Sequence, residues 1–384
     1  MKKIRNILGI FALAVVPFLV SSCDDAEEGI QYHTTTFAVG DAIWRRDVSS
    51  EDKAVITGLI NKMVKVEACD FYMGGQSKTS LRANYAYGFT SKDTIWCPEN
   101  AVMAYWRDLK SHDTIWYNSR HFNFIDTLFT KRATTPYATV YKNGACWVGP
   151  VVKVSMPDYY IGKFEITQRE WMAVMHRNPT GTYCVIPETT GQSWYEEIGK
   201  GDDVAAYNIW YQDAVAFCDS LQAKTGLPFR LPTEAEWECA ARGGKYCRGY
   251  RYAGTDETDE AGWTYYNAAA TGYSKDHQTD FGVHKGGLKL ANELGIYDMC
   301  GNVSEWVGNA YYRYSVVENQ NPQGRAVQNN GQDTLILRGG SWMQKKSVDF
   351  ALSNRKYCIM NSYSSEESMQ SAFVNCGFRI CISK

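Results

Sequence analysis

Metal-ligand spacing is missing from this sequence. Its six histidines and twelve cysteines include no HxxH, HExxH or CxxC, so no structural zinc site is expected. Excess positive charge is missing too: 40 basic residues meet 42 acidic ones, which leaves no electrostatic footprint for nucleic acid. The apolar run Ile7–Val20 is shorter than the roughly 20 residues that span a bilayer, and its basic flank is on one side only. Predicted helices and strands do not alternate as βαβ units, which argues against a doubly wound parallel sheet. Gly339-Gly340-Ser341 is not a GxSxG elbow, and no histidine lies near it in sequence to act as a base.

What is present begins at the N-terminus. Lys2, Lys3 and Arg5, the apolar run, and then Ser21 and Ser22 before Cys23 have the layout of an export signal. Leu19-Val20-Ser21-Ser22-Cys23 resembles a bacterial lipobox, which implies cleavage before a lipidated Cys23. Each buried acyl CH2 contributes about 0.8 kcal/mol, so several chains hold a soluble domain on a membrane. Asp24, Asp25, Glu27 and Glu28 resemble the surface-export tag of Bacteroides-type lipoproteins, and a solvated tether explains them as well. The expected location is the cell envelope, at the outer membrane and its surface. Without residues 1–22 the chain carries 37 basic and 42 acidic residues, a net charge of −5. Eleven cysteines besides Cys23 suit a compartment where disulfides persist, and an odd number leaves one thiol over.

Along the chain, a tether gives way to a helix over 51–61 and an alternating strand over 63–67. Residues 76–150 are aromatic and turn-rich, and Asp93-Thr94-Ile95-Trp96 recurs as Asp113-Thr114-Ile115-Trp116. Two short copies point to similar β-ribbons rather than a solenoid. Thr167 with Glu170, and Thr233 with Glu236, have the spacing of a capping box. The first opens a helix that Asn178-Pro179 should stop; the second opens one ending at Arg242-Gly243-Gly244. Between them a helix is expected over 211–224, closed by Thr225-Gly226. Short strands are expected at 335–338 and 378–382. Helices early and strands late predict an α+β fold.

Six blocks occur in order: Met63-Val64-Lys65-Val66-Glu67 with Met73-Gly74, Tyr160 to Thr167, Arg230 to Glu238, Gly301-Asn302-Val303-Ser304-Glu305-Trp306, Arg338-Gly339-Gly340-Ser341-Trp342, and Gly377-Phe378-Arg379. Together they resemble the formylglycine-generating enzyme (sulfatase-modifying factor) family. The resemblance implies a compact variant of the C-type lectin arrangement over 61–384, with an insertion at about 76–150, behind a signal peptide (1–22) and a lipidated tether with a short helix (23–60).

The resemblance further implies a calcium site at Asp298, Gly301, Val303 and Glu305, the middle two through carbonyls, as a hard cation wants oxygen ligands. A second calcium site should fall near 262–280; Asp256, Asp259 and Glu260, just before that range, read equally as a plain acidic loop. The family enzyme oxidises a substrate cysteine with copper(I) held by two cysteines, soft ligands suited to that ion. Here Gln344 and Asp349 stand at those positions, so copper is not expected and no catalytic residue is assigned. A structural disulfide from Cys218 to Cys381 or Cys376 is implied by some family members, and Cys97 with Cys146 would close the insertion. Ser341, Trp342, Gln344 and Asp349 form a candidate groove. The expected role is a noncatalytic binding or scaffolding lipoprotein with a protein or glycan partner. The alternatives are an oxidoreductase acting on a peptide cysteine and a surface glycan-binding protein, for which Trp306 and Trp342 would supply stacking surface.

Overall fold

The structure is a computed structural model describing residues 42–74, 102–107, 114–118, 129–132, 152–179, 194, 198–268, 282–312, 319–320, 324–328, 333–359 and 374–383. The chain divides into Met1–Gln31, which lies outside the described residues with Cys23 and the lipobox, and Tyr32–Lys384, to which all that follows belongs. Cys97 and Cys146 also lie outside the described residues. Among the described residues no helix is long and apolar enough to cross a membrane.

Ser49 opens α1 (Ser50–Asn61) by accepting from the Asp52 backbone, and the helix buries Ile56, Leu59 and Ile60. Then come β1 (Met63–Val66) and β2 (Cys69–Met73). Inside the insertion, β3 (Val102–Arg107), β4 (Thr114–Asn118) and β5 (Phe129–Arg132) make an antiparallel sheet in the order β4-β3-β5. The second Asp-Thr-Ile-Trp copy enters this sheet, with Ile115 and Trp116 opposite Trp106 and Tyr105; the first copy lies outside the described residues.

After β6 (Val152–Met156) and β7 (Tyr159–Gly162), both capping boxes form. In α2 (Gln168–Met175) the Thr167 hydroxyl accepts from Glu170 N while Glu170 accepts from Thr167 N. This helix stops at His176, left-handed at φ 50° and two residues short of Asn178-Pro179, so the proline is not the terminator. α3 (Tyr211–Thr225) ends on Gly226 at φ 71°. Beyond β8 (Phe229–Arg230), α4 (Glu234–Ala241) repeats the box with Thr233 and Glu236. The remaining strands are β9 (Ser304–Ala310), β10 (Asn319–Gln320), β11 (Arg325–Ala326), β12 (Thr334–Arg338), β13 (Lys356–Ile359), β14 (Cys376–Gly377) and β15 (Cys381–Ser383).

Among the described residues seven strands stand between α1 and α2, and short strands close the chain; the mixture of helices and mainly antiparallel strands is the α+β class expected, although the helices do not all come first. An antiparallel sheet in the order β1-β7-β15-β8 separates two hydrophobic cores. One core holds Met63, Trp171, Phe217, Ile380 and Ile382; the other holds Val64, Val66, Ile161, Trp237 and Cys381. Alternate residues of each strand therefore face opposite sides. In the first core Phe378 meets Trp171 and Phe217 edge-on, with centroids at 6.3 and 5.2 Å. A second sheet, β10-β6-β2, and a third, β11-β9-β12-β13 with β14 beside β9, complete the domain.

The strand expected over 378–382 is interrupted. β14 ends at Gly377 and β15 begins at Cys381. In the gap, Arg379 donates from Nε and Nη2 to both oxygens of Glu305, each at 2.7 Å. It also reaches the carbonyls of Gly162 at 2.9 Å and Tyr297 at 3.0 Å, and the Trp237 indole donates to Glu305 at 2.8 Å. Neither charged side chain is exposed.

Glu305→Ala strands a buried guanidinium, and the expected loss of folding stability is about 3–5 kcal/mol. Denaturant unfolding of wild type and variant measures it; a loss under about 1 kcal/mol, typical of a surface change, would show that this pair does not hold the domain.

Candidate functional site

Two turns, one before β9 and one after β12, bring the site residues together. In the first, Asp298, Gly301 and Asn302 have φ of 57°, 81° and 54°. A Cβ on Gly301 would sit 2.2 Å from the Trp263 carbonyl oxygen, so only glycine fits. Asn302 is spent on stitching: its side chain binds Glu165 and both backbone groups of His284, and its carbonyl accepts from Trp342 N at 2.9 Å.

Asp298 is buried, and its Oδ2 accepts from Gly287 N at 2.8 Å while Oδ1 has no partner. Burial pushes its carboxyl up to about 6. Burial, and then the charges of Asp298 and Glu305, push Glu165 well above the carboxylate range, although Val303 N donates to it at 3.0 Å. Three carboxylates thus share one buried guanidinium, Arg379. Glu305 already accepts three hydrogen bonds, leaving about one of its lone-pair positions. The orphaned Oδ1 of Asp298 and the backbone carbonyls of the glycine turn are oxygen donors of the kind that could hold a hard divalent cation. Among the described residues no three His, Cys, Asp or Glu side chains are grouped to hold a metal; a site drawing on backbone carbonyls does not require such a group.

The second turn is Gly339-Gly340, at φ 85° and 75°. A Cβ on Gly340 would lie 2.9 Å from the Asp349 carbonyl oxygen, so the glycine sets how closely the two segments approach. Ser341 is buried, and its N–H and hydroxyl both donate to the Gln344 Oε1 at 2.5 Å. Asn375 donates from Nδ2 to the same hydroxyl at 2.5 Å. Trp342 is buried in the first core with Trp306, whereas Gln344 and Asp349 are half-buried. Burial raises the Asp349 carboxyl above its ordinary range. Arg355 gives Nε and Nη2 to the two oxygens of Glu234 at 2.5 and 2.6 Å. Next to Gln344, whose carbonyl accepts from Tyr265 N, Met343 and Tyr266 stand exposed.

Two further polar residues, Ser304 and Asn208, join this region. Ser304 N bonds the Asn375 carbonyl, and Ile209 N bonds the Cys376 carbonyl, so Ser304 and Asn208 flank the 375–376 segment. Both amide atoms of Asn208 and the Ser304 hydroxyl are buried without a partner. The sequence reading named neither residue, nor Asn375 or Glu165, as part of a site. Asn375 lies two residues before the Gly-Phe-Arg block and Glu165 inside another, so only their nearness to motifs signalled them. The set around Ser341 is neutral and hydrogen-bonding, and Gln344 carries a carboxamide already engaged by Ser341. Copper(I) does not fit it, because neither Gln344 nor Asp349 offers soft sulfur.

The expected disulfide from Cys218 does not form. Cys218 and Cys381 carry free thiols, Cys218 in the first core and Cys381 in the second. Cys381 directly follows Ile380, and the period of two along a strand turns it to the other face. Cys376 donates its thiol to Asn375 Oδ1 at 3.8 Å. Just before the range expected to carry a second calcium site, Asp256 accepts from Arg251 N and Glu260 from the Thr255 hydroxyl; within that range, 269–280 lie outside the described residues.

Residues 126–384 match the family described as the sulfatase-modifying factor enzyme 1-like domain. The "Chaperone protein LppX" of Paenibacillus barcinonensis is 30% identical over 192 residues, 40% of this chain and 62% of that protein. The mouse "Inactive C-alpha-formylglycine-generating enzyme 2" is 30% identical over 162 residues, 39% and 43% of the two chains. The mouse "Formylglycine-generating enzyme" is 31% identical over 176 residues, 45% and 42%. The chain therefore spans less than two thirds of each of these relatives. Among solved structures, PvdO from Pseudomonas aeruginosa is 18% identical with a TM-score of 0.49, covering 84% of this chain and 94% of that one. The matched range omits β1 and β2, yet β1 pairs with β7 and β2 with β6 inside it. The match covers well over half of the sequence, and the chain belongs to the sulfatase-modifying factor enzyme 1-like family.

Proposed function

We propose that this chain is a noncatalytic binding or scaffolding module of the cell envelope, anchored through lipid on Cys23. The observation that carries the reading is the Ser341–Gln344 contact. Where the resembling enzymes place a pair of thiolates, this chain places a carboxamide committed to Ser341 and a half-buried carboxylate, Asp349. A neutral hydrogen-bonding set beside exposed Met343 and Tyr266 suits recognition of a polypeptide segment. Among the relatives one is named a chaperone protein and one an inactive enzyme, names that accord with binding without turnover. Trp306 and Trp342 are buried, so glycan stacking on them has less support than a protein partner, and nucleic acid has none. The rival is an oxidoreductase acting on a peptide cysteine through other ligands.

Oxygen uptake by purified 23–384 with a cysteine-containing peptide separates the two. The expected rate equals that of peptide alone; turnover that disappears on changing one or two cysteines would establish the oxidoreductase instead.

Calcium is the cofactor of the same reading, held by Asp298 with the carbonyls of Gly301 and Val303 and the last free position of Glu305. Its role is to neutralise the buried carboxylates and fix the turn that positions Trp342. A ligand at a hundredfold excess over its Kd stabilises a fold by about 2.7 kcal/mol. Chelation should therefore lower the melting temperature by several degrees, with recovery on adding calcium and no response in Asp298→Ala. An unchanged melting temperature would remove calcium from the account.

A further inference from the structure

Cys69, at the start of β2, and Cys239, in the middle of α4, are 170 residues apart in sequence, yet their sulfurs lie 3.7 Å apart. The contact is held from outside the pair. The end of β2 is tied to α4 by Gly74 N donating to Glu238 at 2.7 Å and by Arg242 donating to the Gly74 carbonyl at 2.6 Å. Neither hydrogen-bonded group belongs to a cysteine, so the two elements stay in register whatever the state of the thiols. The thiols are also unequal in access: Cys69 is half-buried and Cys239 is fully buried. A third thiol, Cys247, is exposed beyond the turn that follows α4.

We propose that Cys69 and Cys239 are a thiol–disulfide site, closing to an intramolecular disulfide that fastens β2 to α4. The oxidant is a low-molecular-weight or protein disulfide. The Cys69 thiolate attacks one sulfur of that disulfide, forming a mixed disulfide and expelling one thiolate. Cys239 then loses its proton, attacks the Cys69 sulfur and expels the second thiolate. Two protein thiols and one external disulfide become one protein disulfide and two external thiols, so electrons and protons balance. The order of attack follows from access, because an external disulfide reaches Cys69 and not Cys239. The hydrogen bond from Cys239 holds the Cys69 thiol below its ordinary range, whereas Cys239 is held well above its own, first by that contact and then by burial. The outer sulfur is thus the better nucleophile at neutral pH. Closing the pair needs only side-chain movement to a bond of about 2.0 Å. The loop closed is long, and restricting it in the unfolded chain favours the folded one.

The test uses the reduced chain, equilibrated with glutathione disulfide, digested without reduction and mapped by mass spectrometry. The expected product joins the peptide of Cys69 to that of Cys239, and the melting temperature rises by several degrees. Cys239→Ser should halt at a glutathione adduct on Cys69, and Cys69→Ser should leave Cys239 unmodified in the folded protein. Cys247→Ser should still form the link. Two unmodified thiols, a glutathione adduct on Cys69 in wild type, or a bond from Cys69 to Cys247 would each overturn the proposal, and none requires a variant to fold.

Discussion

Arg379 and Glu305 form an ion pair that water does not reach, and each partner makes sense only with the other. Removing two charges from water costs several kcal/mol apiece, so the pair holds only because its hydrogen bonds are nearly complete. Arg379 has two carboxylate oxygens and two carbonyls; Glu305 has the guanidinium and the Trp237 indole. Apart from the Tyr297 carbonyl, these groups come from four of the sequence blocks, far apart along the chain, which meet at this point. Breaking the strand between β14 and β15 is the local cost, and anchoring β7, α4, β9 and the C-terminal strand to one another is the return.

A second buried charge network is built on Glu234 and Glu238 of α4. Arg338, from the Gly-Gly-Ser block, pairs with Glu238 and approaches Glu234, while Arg242 and Arg355 pair with the same two acids. Trp237 lies between the networks on the same helix, with the Arg338 guanidinium 5.1 Å from its ring. The turn carrying Ser341 is therefore held from behind by ions and from the side by Asn302 and Asn375. These contacts hold the turn with Gln344 and Asp349, not cysteines, following it in sequence.

Much of this was legible in the sequence. Both capping boxes, the glycine end of α3 and the α+β class follow from local chemistry, since a hydroxyl three residues before a glutamate satisfies orphan N–H groups in any context. The Asp298–Glu305 segment and the Ser341 turn were legible through their motifs. What was not legible depended on long-range meetings. The end of α2 is set by His176 adopting a left-handed conformation, which no proline signals. Cys381 faces away from Cys218 because one residue of strand reverses a side chain, and the expected pairing allowed either of two neighbours. Asn208 carries no motif, and Ser304 sits in one that does not single it out; both emerge only as buried polar groups once Ile209 and Ser304 are seen beside 375–376. Cys69 and Cys239 have no spacing that could announce them.

The Ser341 turn is proposed here as a binding surface in place of a copper site. Copper(I) titration of purified 23–384 against a competing chromophoric chelator, reduced and free of oxygen, tests it directly. The account predicts no stoichiometric site that outcompetes the chelator at the Gln344 and Asp349 positions. One tight equivalent, retained when Cys69 and Cys239 are serine and lost on changing Cys358, Cys376 or Cys381, would contradict it and return the chain to the copper oxidases.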